Sequence, residues 1–134
     1  MIDRVIENLA EQGWCVLPGF LGAELVRQLA AEAESLHQSG VLAPAATGQG
    51  GQKQLRPDLR GDSILWLDEH TASPAQSEFL ARMEALRQAA NRDLQLGLFE
   101  LEAHFARYPA GAGYGRHLDV FQRDSRRTLP ATVP

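Results

Sequence analysis

Apolar residues Ile2, Val5, Ile6 and Leu9 recur at the spacing of one face of an amphipathic helix, and Gly13 follows as a residue suited to a left-handed cap. The period then changes. Trp14, Cys15, Val16 and Leu17 form a short, partly β-branched apolar run closed by Pro18 and Gly19, which predicts a strand buried on both faces. Over residues 22–38 the stripe Leu25, Leu29, Ala33 and Leu36 predicts a longer second helix, stopped by Ser39 and Gly40. Ile64, Leu65, Trp66 and Leu67 predict another buried strand. Ser73, Pro74 and Gln76 then supply an N-cap, a first helical position and a capping-box residue. Behind that cap, Phe79, Leu80, Met83, Leu86, Ala90 and Leu94 form the apolar face of a third helix, where Met83 reads as core filler and not as a thioether ligand. From residue 98 to 108 the period becomes two. Phe99, Leu101, Ala103 and Phe105 fall on one face, expected to be core, and Glu100, Glu102, His104, Ala106 and Tyr108 fall on the other, which ends in an imidazole and a phenol suited to a cavity wall.

Residues 43–61, "APAATGQGGQKQLRPDLRG", carry hardly any large apolar side chain, so they bury too little surface to offset their ordering entropy. This segment reads as a mobile loop, either a spacer or a lid over a binding site.

The chain's 134 residues are 44% apolar, which sets the scale of a single domain with a modest core. Net charge is −4 and Lys53 is the only lysine, so a nucleic-acid surface is disfavoured. Cys15 stands alone, which excludes an intramolecular disulfide and a thiolate cluster within one chain. No window approaches the roughly 20 apolar residues of a membrane span. These features together predict a soluble, cytoplasmic protein.

The candidate chemistry lies in "YPAGAGYGRHLD". In a strand, His117 and Asp119 would project from one face with Cα atoms about 6.6 Å apart, close enough to share a metal ion. They would supply two corners of a facial two-His-one-carboxylate triad, the arrangement that leaves positions open on Fe(II). The motif alone is weak, since about 0.2 matches arise by chance from this composition. An incidental His and Asp in a surface turn is the competing reading. Gly111, Gly113 and Gly115 let the backbone approach a ligand closely, and Arg116 adds a cation. Of the other histidines, His37 is explained by a helix C-terminus and His70 by a polar turn.

Five blocks in order, "GWCVLPGFLG", "ESLHQSGVL", "LRGDSILWLDE", "ARYPAGAGYGRHLD" and "RDSRRTL", resemble the hypoxia-factor-type prolyl 4-hydroxylases of the Fe(II)- and 2-oxoglutarate-dependent dioxygenases. The resemblance covers nearly the whole chain. It implies an α+β fold in which the N-terminal helices and first strands of a double-stranded β-helix (jelly-roll) form an incomplete barrel over 1–134. It further implies that His117 and Asp119 bind iron and that the Tyr108 hydroxyl bonds 2-oxoglutarate. Tyr114 and His104 would line the pocket, and Asp62 would pair with Arg126. Residues 43–61 would be the mobile loop that closes over the protein substrate, with Arg56, Arg60 and Trp66 counted among its residues. The activity implied is hydroxylation of a proline in a protein substrate, coupled to oxidation of 2-oxoglutarate to succinate, with ascorbate keeping the iron reduced.

The family's second histidine ligand and its 2-oxoglutarate-binding Arg have no counterpart at a matching position, and "PATVP" brings two prolines where an apolar strand is expected. His104 is the available substitute ligand. The expectation is therefore a low-activity or inactive fragment that self-associates through uncovered strands. The alternative class is a non-catalytic protein-binding module or a degraded enzyme remnant.

Overall fold

The computed structural model describes residues 1–46, 55, 60–117 and 127–134. Its elements run α1 (Ile2–Gln12), α2 (Ala23–Gln38), β1 (Ala43–Pro44), β2 (Ser63–Trp66), α3 (Pro74–Leu94) and β3 (His104–Arg107). The three strands form one antiparallel sheet in the order β1-β2-β3, an unclosed sheet in a mixed helix-and-sheet fold.

The helices follow the apolar stripes. Gly13 caps α1 at φ 81°, where a side chain would be strained, and its N–H donates to the Leu9 carbonyl at 3.0 Å. α1 lies against α3 through Val5, Ile6, Leu86, Ala89, Ala90 and Leu98. Ala90 is fully buried, and its small side chain lets the two helices come close. A second cluster, Leu21, Leu25 and Ala75, joins α2 to α3, and Phe20 packs against both clusters. Arg82 of α3 ties the connecting turn down by donating to the Leu21 carbonyl at 2.8 Å and to that of Phe20 at 3.3 Å.

Half of the expected capping box forms. The Ser73 hydroxyl accepts from the Gln76 N–H at 3.1 Å, whereas the Gln76 amide reaches Glu32 of α2 at 3.1 Å instead of returning to Ser73. The start of α3 is thereby tied to the neighbouring helix as well as capped.

Four expectations change. Residues 14–17 belong to no strand, and only alternate side chains are covered. Cys15 and Leu17 pack on the α1/α3 cluster, while Trp14 is 61% and Val16 77% exposed. An apolar run of four does not reveal that one of its sides lacks a covering layer among the described residues. In β2, Ser63, Ile64 and Leu65 are half-buried and Trp66 is 55% exposed, so this strand is fully buried on neither face. The segment read as a loop over 43–61 begins with β1, a strand at the sheet edge, where proline is tolerated, and a bridge is present at Arg60. Residues 47–54 and 56–59 lie outside the described residues.

The fourth change concerns 98–108, where pairing is confined to β3. Leu98 is buried and Phe99 is 63% exposed, the reverse of the expected face. The cause is Asn91 at the end of α3. Its amide donates to the Leu98 carbonyl at 2.6 Å and accepts from the Leu98 N–H at 2.7 Å, so Leu98 docks in the core before the strand period begins.

The sheet is closed against the glycine-rich turn at one point. Arg60 bridges Tyr114, and the Gly61 N–H donates to the Gly113 carbonyl at 2.8 Å. A β-carbon on Gly61 would sit 2.9 Å from Ala112 Cβ, too close for carbon atoms, so glycine is required by proximity. Gly61→Ala is expected to destabilise by about 1–3 kcal/mol in urea unfolding, with Ala112→Gly recovering most of the loss. A single variant as stable as wild type would mean the approach is loose. At the cap, Ser73→Ala should cost about 1 kcal/mol in the same assay, and no change would show that the Gln76–Glu32 tie alone sets the helix start.

Candidate active site

The polar side chains gather on one face of the sheet. β2 pairs with β3 so that Trp66 lies opposite His104 and Ile64 opposite Ala106. Alternation then puts Trp66, Ile64 and Asp62 on the same face as His104, Ala106 and Tyr108. At one end of this face the Trp66 and His104 rings meet edge to face, with centroids 4.8 Å apart at 79°. The His104 Nδ1 lies 3.1 Å from the Phe105 carbonyl.

At the other end stands Asp62, 3% exposed and the one buried charged or polar residue among those described. Arg60 answers it with a forked contact, Nε donating to Oδ1 at 2.7 Å and Nη2 to Oδ2 at 3.0 Å. That hydrogen bonding holds the Arg60 pKa above its ordinary value, against the opposing effect of burial. The Tyr108 phenol belongs to the same group. Partial burial raises its pKa above the usual tyrosine value and the Asp62 charge pushes the same way, while Arg60 opposes both. Tyr108 is 42% exposed, so water screens these effects and only the direction matters: the phenol stays protonated at neutral pH and can donate.

Arg60 also reaches across to the glycine-rich turn. Its guanidinium lies 4.6 Å from the centroid of the Tyr114 ring, with Nη1 3.5 Å from the phenol oxygen. Tyr114 in turn stacks on His117, centroids 3.6 Å apart and planes 15° from parallel. His117 is exposed, sits outside any strand, and its Nδ1 lies 2.7 Å from the Gly115 carbonyl. A carbonyl at that distance requires an N–H on Nδ1, so the neutral ring has its lone pair on Nε2.

The sequence-predicted residues therefore divide. Arg60, Asp62, Tyr108, Tyr114 and His117 come together, and Trp66 and His104 share the same face farther along. Asp119, Arg126 and Arg56 lie outside the described residues, so the iron-binding pair and the Asp62–Arg126 pair cannot be drawn; both oxygens of Asp62 meet Arg60. His37, in the last turn of α2, and His70, in an exposed turn beside Glu69, take no part. Sequence reading placed Arg60 in the substrate loop and missed its link to Asp62, although the i, i+2 spacing of Arg60 and Asp62 is the signal for two extended residues on one face.

The chemistry of the donor set fits one corner of a metal centre: an imidazole whose Nδ1 is held by a carbonyl and whose Nε2 carries the lone pair is the form that ligates metals. Among the described residues no three His, Cys, Asp or Glu side chains converge on one point. A concavity of about 950 Å³ lies elsewhere, an open groove against α3 lined by Leu80, Glu84 and Phe99 that meets this face only at Trp66. Chemistry and not size identifies the candidate site.

Known proteins were compared with this chain in sequence and in structure. No family model matches the sequence. The human protein Egl nine homolog 1 is 28% identical over 133 residues, covering 93% of this chain and 30% of its own length. The hypoxia-inducible factor prolyl hydroxylase of Caenorhabditis elegans is 26% identical over 132 residues, covering 92% and 18%. The chain thus spans less than a third of the length of these curated relatives. A crystal structure of a Pseudomonas putida prolyl-4-hydroxylase superposes with a TM-score of 0.80 at 45% identity, covering 90% of this chain and 62% of that one. A prolyl hydroxylase from Trichoplax adhaerens, solved in complex with a hypoxia inducible factor peptide fragment, gives a TM-score of 0.71 at 27% identity, covering 88% and 54%. These likenesses in sequence and structure are all to prolyl hydroxylases, and they support a relation of this chain to the 2-oxoglutarate- and Fe(II)-dependent oxygenase superfamily.

Proposed function

We propose that this chain carries residues of a prolyl 4-hydroxylase site acting on a proline of a protein substrate, with Fe(II) and 2-oxoglutarate as cofactor and cosubstrate. The observation that carries the reading is the 45% identity with the Pseudomonas putida prolyl-4-hydroxylase across 90% of this chain at a TM-score of 0.80. The peptide complex of the Trichoplax adhaerens relative favours a protein substrate.

In this reading His117, through Nε2, and Asp119 hold the metal, which when bound supplies the activation of dioxygen. The remaining steps fall to the chain's own groups. Tyr108, kept protonated, donates a hydrogen bond to a 2-oxoglutarate oxygen. Trp66 and His104 form the wall at the far end of the face, where an edge-to-face aromatic pair gives a prolyl ring an apolar surface to lie against. Arg56 and Arg60 belong to the substrate loop in this reading. Ascorbate is the expected reductant for the metal. In this reading His117 and Asp119 supply two of the three ligands such a centre uses, and turnover by this chain alone is expected to be low.

Anaerobic calorimetric titration of Mn(II), a redox-inert stand-in, tests the reading with and without 2-oxoglutarate. Binding should tighten when 2-oxoglutarate is present, and His117→Ala or Asp119→Ala should weaken it by at least about tenfold. Tyr108→Phe should remove much of the 2-oxoglutarate effect while leaving metal binding in place. A wild-type chain that takes up no Mn(II) under either condition would overturn the proposal.

A further inference from the structure

A continuous column of side chains joins the buried carboxylate of Asp62 to the imidazole of His117. Asp62 grips Arg60 by two hydrogen bonds, Arg60 lies over one part of the Tyr114 ring, and Tyr114 stacks on His117 at 3.6 Å. Each member is fixed by something other than the next. Asp62 is held by burial, Tyr114 by its backbone bridge to Arg60 and the adjacent Gly61–Gly113 hydrogen bond, and His117 by the Gly115 carbonyl. The stack restricts the tilt of the imidazole plane, and the carbonyl restricts rotation within that plane and sets the tautomer. Neither restraint alone fixes the ring, because a stacked ring can spin about its normal and a ring held at one nitrogen can swing about that contact.

From this geometry we propose that Tyr114, braced by Arg60, is a positioning residue that orients the His117 imidazole, so that the Gly115 carbonyl keeps its hold on Nδ1. Tyr114 then acts through the ligand as a packing support, and Arg60 belongs to the same support as well as to the substrate loop. The inference rests on the reading of His117 as a metal ligand, but the ring's orientation exists before any metal arrives and is measurable without one. A side chain whose ring lies flat on an imidazole is suited to this task because it leaves the imidazole's edge nitrogens accessible to their own in-plane partners.

The test is NMR of the His117 ring in the whole chain, first without metal and then with Zn(II) added as a diamagnetic probe, for wild type, Tyr114→Phe and Tyr114→Leu. Phenylalanine keeps the stack and loses the hydroxyl; leucine keeps the apolar bulk and loses the ring, so both preserve folding. In wild type the His117 ring protons should lie upfield from the Tyr114 ring current, and the ring ¹⁵N shifts should report the Nδ1–H tautomer. Tyr114→Phe should reproduce both signatures and the Zn(II) affinity. Tyr114→Leu should lose the upfield displacement, mix the tautomers and weaken Zn(II) binding about tenfold, the size of effect seen when a supporting partner of a metal-bound histidine is removed. Unchanged His117 signals in Tyr114→Leu would overturn the proposal, as would equal losses in both variants, which would point to the hydroxyl and not the stack. If Zn(II) leaves the wild-type His117 signals unmoved, the metal-ligand reading fails, while the metal-free spectra still decide whether Tyr114 orients the ring.

Discussion

The ion pair of Arg60 with Asp62 is the constraint on which the polar side of the molecule depends. A carboxylate that is 3% exposed has lost its water, and in this fold the forked guanidinium replaces that water with two directed hydrogen bonds. The net worth of such a pair against an apolar alternative is small, but removal of one partner strands the other and costs about 3–5 kcal/mol. What the pair supplies is position. Asp62 immediately precedes β2, its carbonyl accepts from the Ala45 N–H at 2.9 Å just beyond β1, and its side chain faces Tyr108 just beyond β3. Three strands are thus referred to one residue, and Arg60 extends the reference to the Tyr114 turn.

The helical frame and the polar face obey different physics. α1, α2 and α3 are joined by two apolar clusters that meet at Phe20, and their order follows from burial. The sheet's polar face is covered only in part among the described residues: Asp62 is 3% exposed, but Trp66 is 55% and Tyr108 42% exposed. Its order comes from hydrogen bonds, a guanidinium and stacked rings, which are directional where burial is not. A face built this way places donors and rings accurately while leaving them open to a ligand, and it has little apolar contact to resist local opening.

This division explains what could be read from the sequence. All three helices were legible because period and caps agree: Gly13 at a left-handed φ, Ser73 receiving the Gln76 N–H, and the stripes that became the two clusters. The strands were legible in type but not in burial. Residues 14–17 and 64–67 are apolar enough to be covered twice, yet an alternating pattern of exposure at Trp14 and Val16 depends on what lies above them, which local composition does not encode. Phe99 was assigned to the core because the period of two was carried back too far; the clamp of Asn91 on Leu98 is a contact between residues seven apart that no strand pattern contains. At the site, alternation correctly put His104 and Tyr108 on one face. The column through Arg60 and Tyr114 was not legible, because those residues are 54 positions apart and only the fold brings them together.

The charge balance of the face bears on how the proposed reaction would recognise its small cosubstrate. Asp62 and Arg60 neutralise each other at hydrogen-bond distance, so the pair offers little net attraction to an anion despite the guanidinium it contains. Arg60 is doubly engaged, by the carboxylate and by the Tyr114 ring, and a dicarboxylate could recruit it only by breaking contacts that keep Asp62 satisfied. Under the proposed reading, the attraction for 2-oxoglutarate has to come from the metal charge and from neutral donors such as Tyr108, and not from Arg60. That assigns Arg60 to architecture: its charge and its planar fork are both engaged in holding the face together.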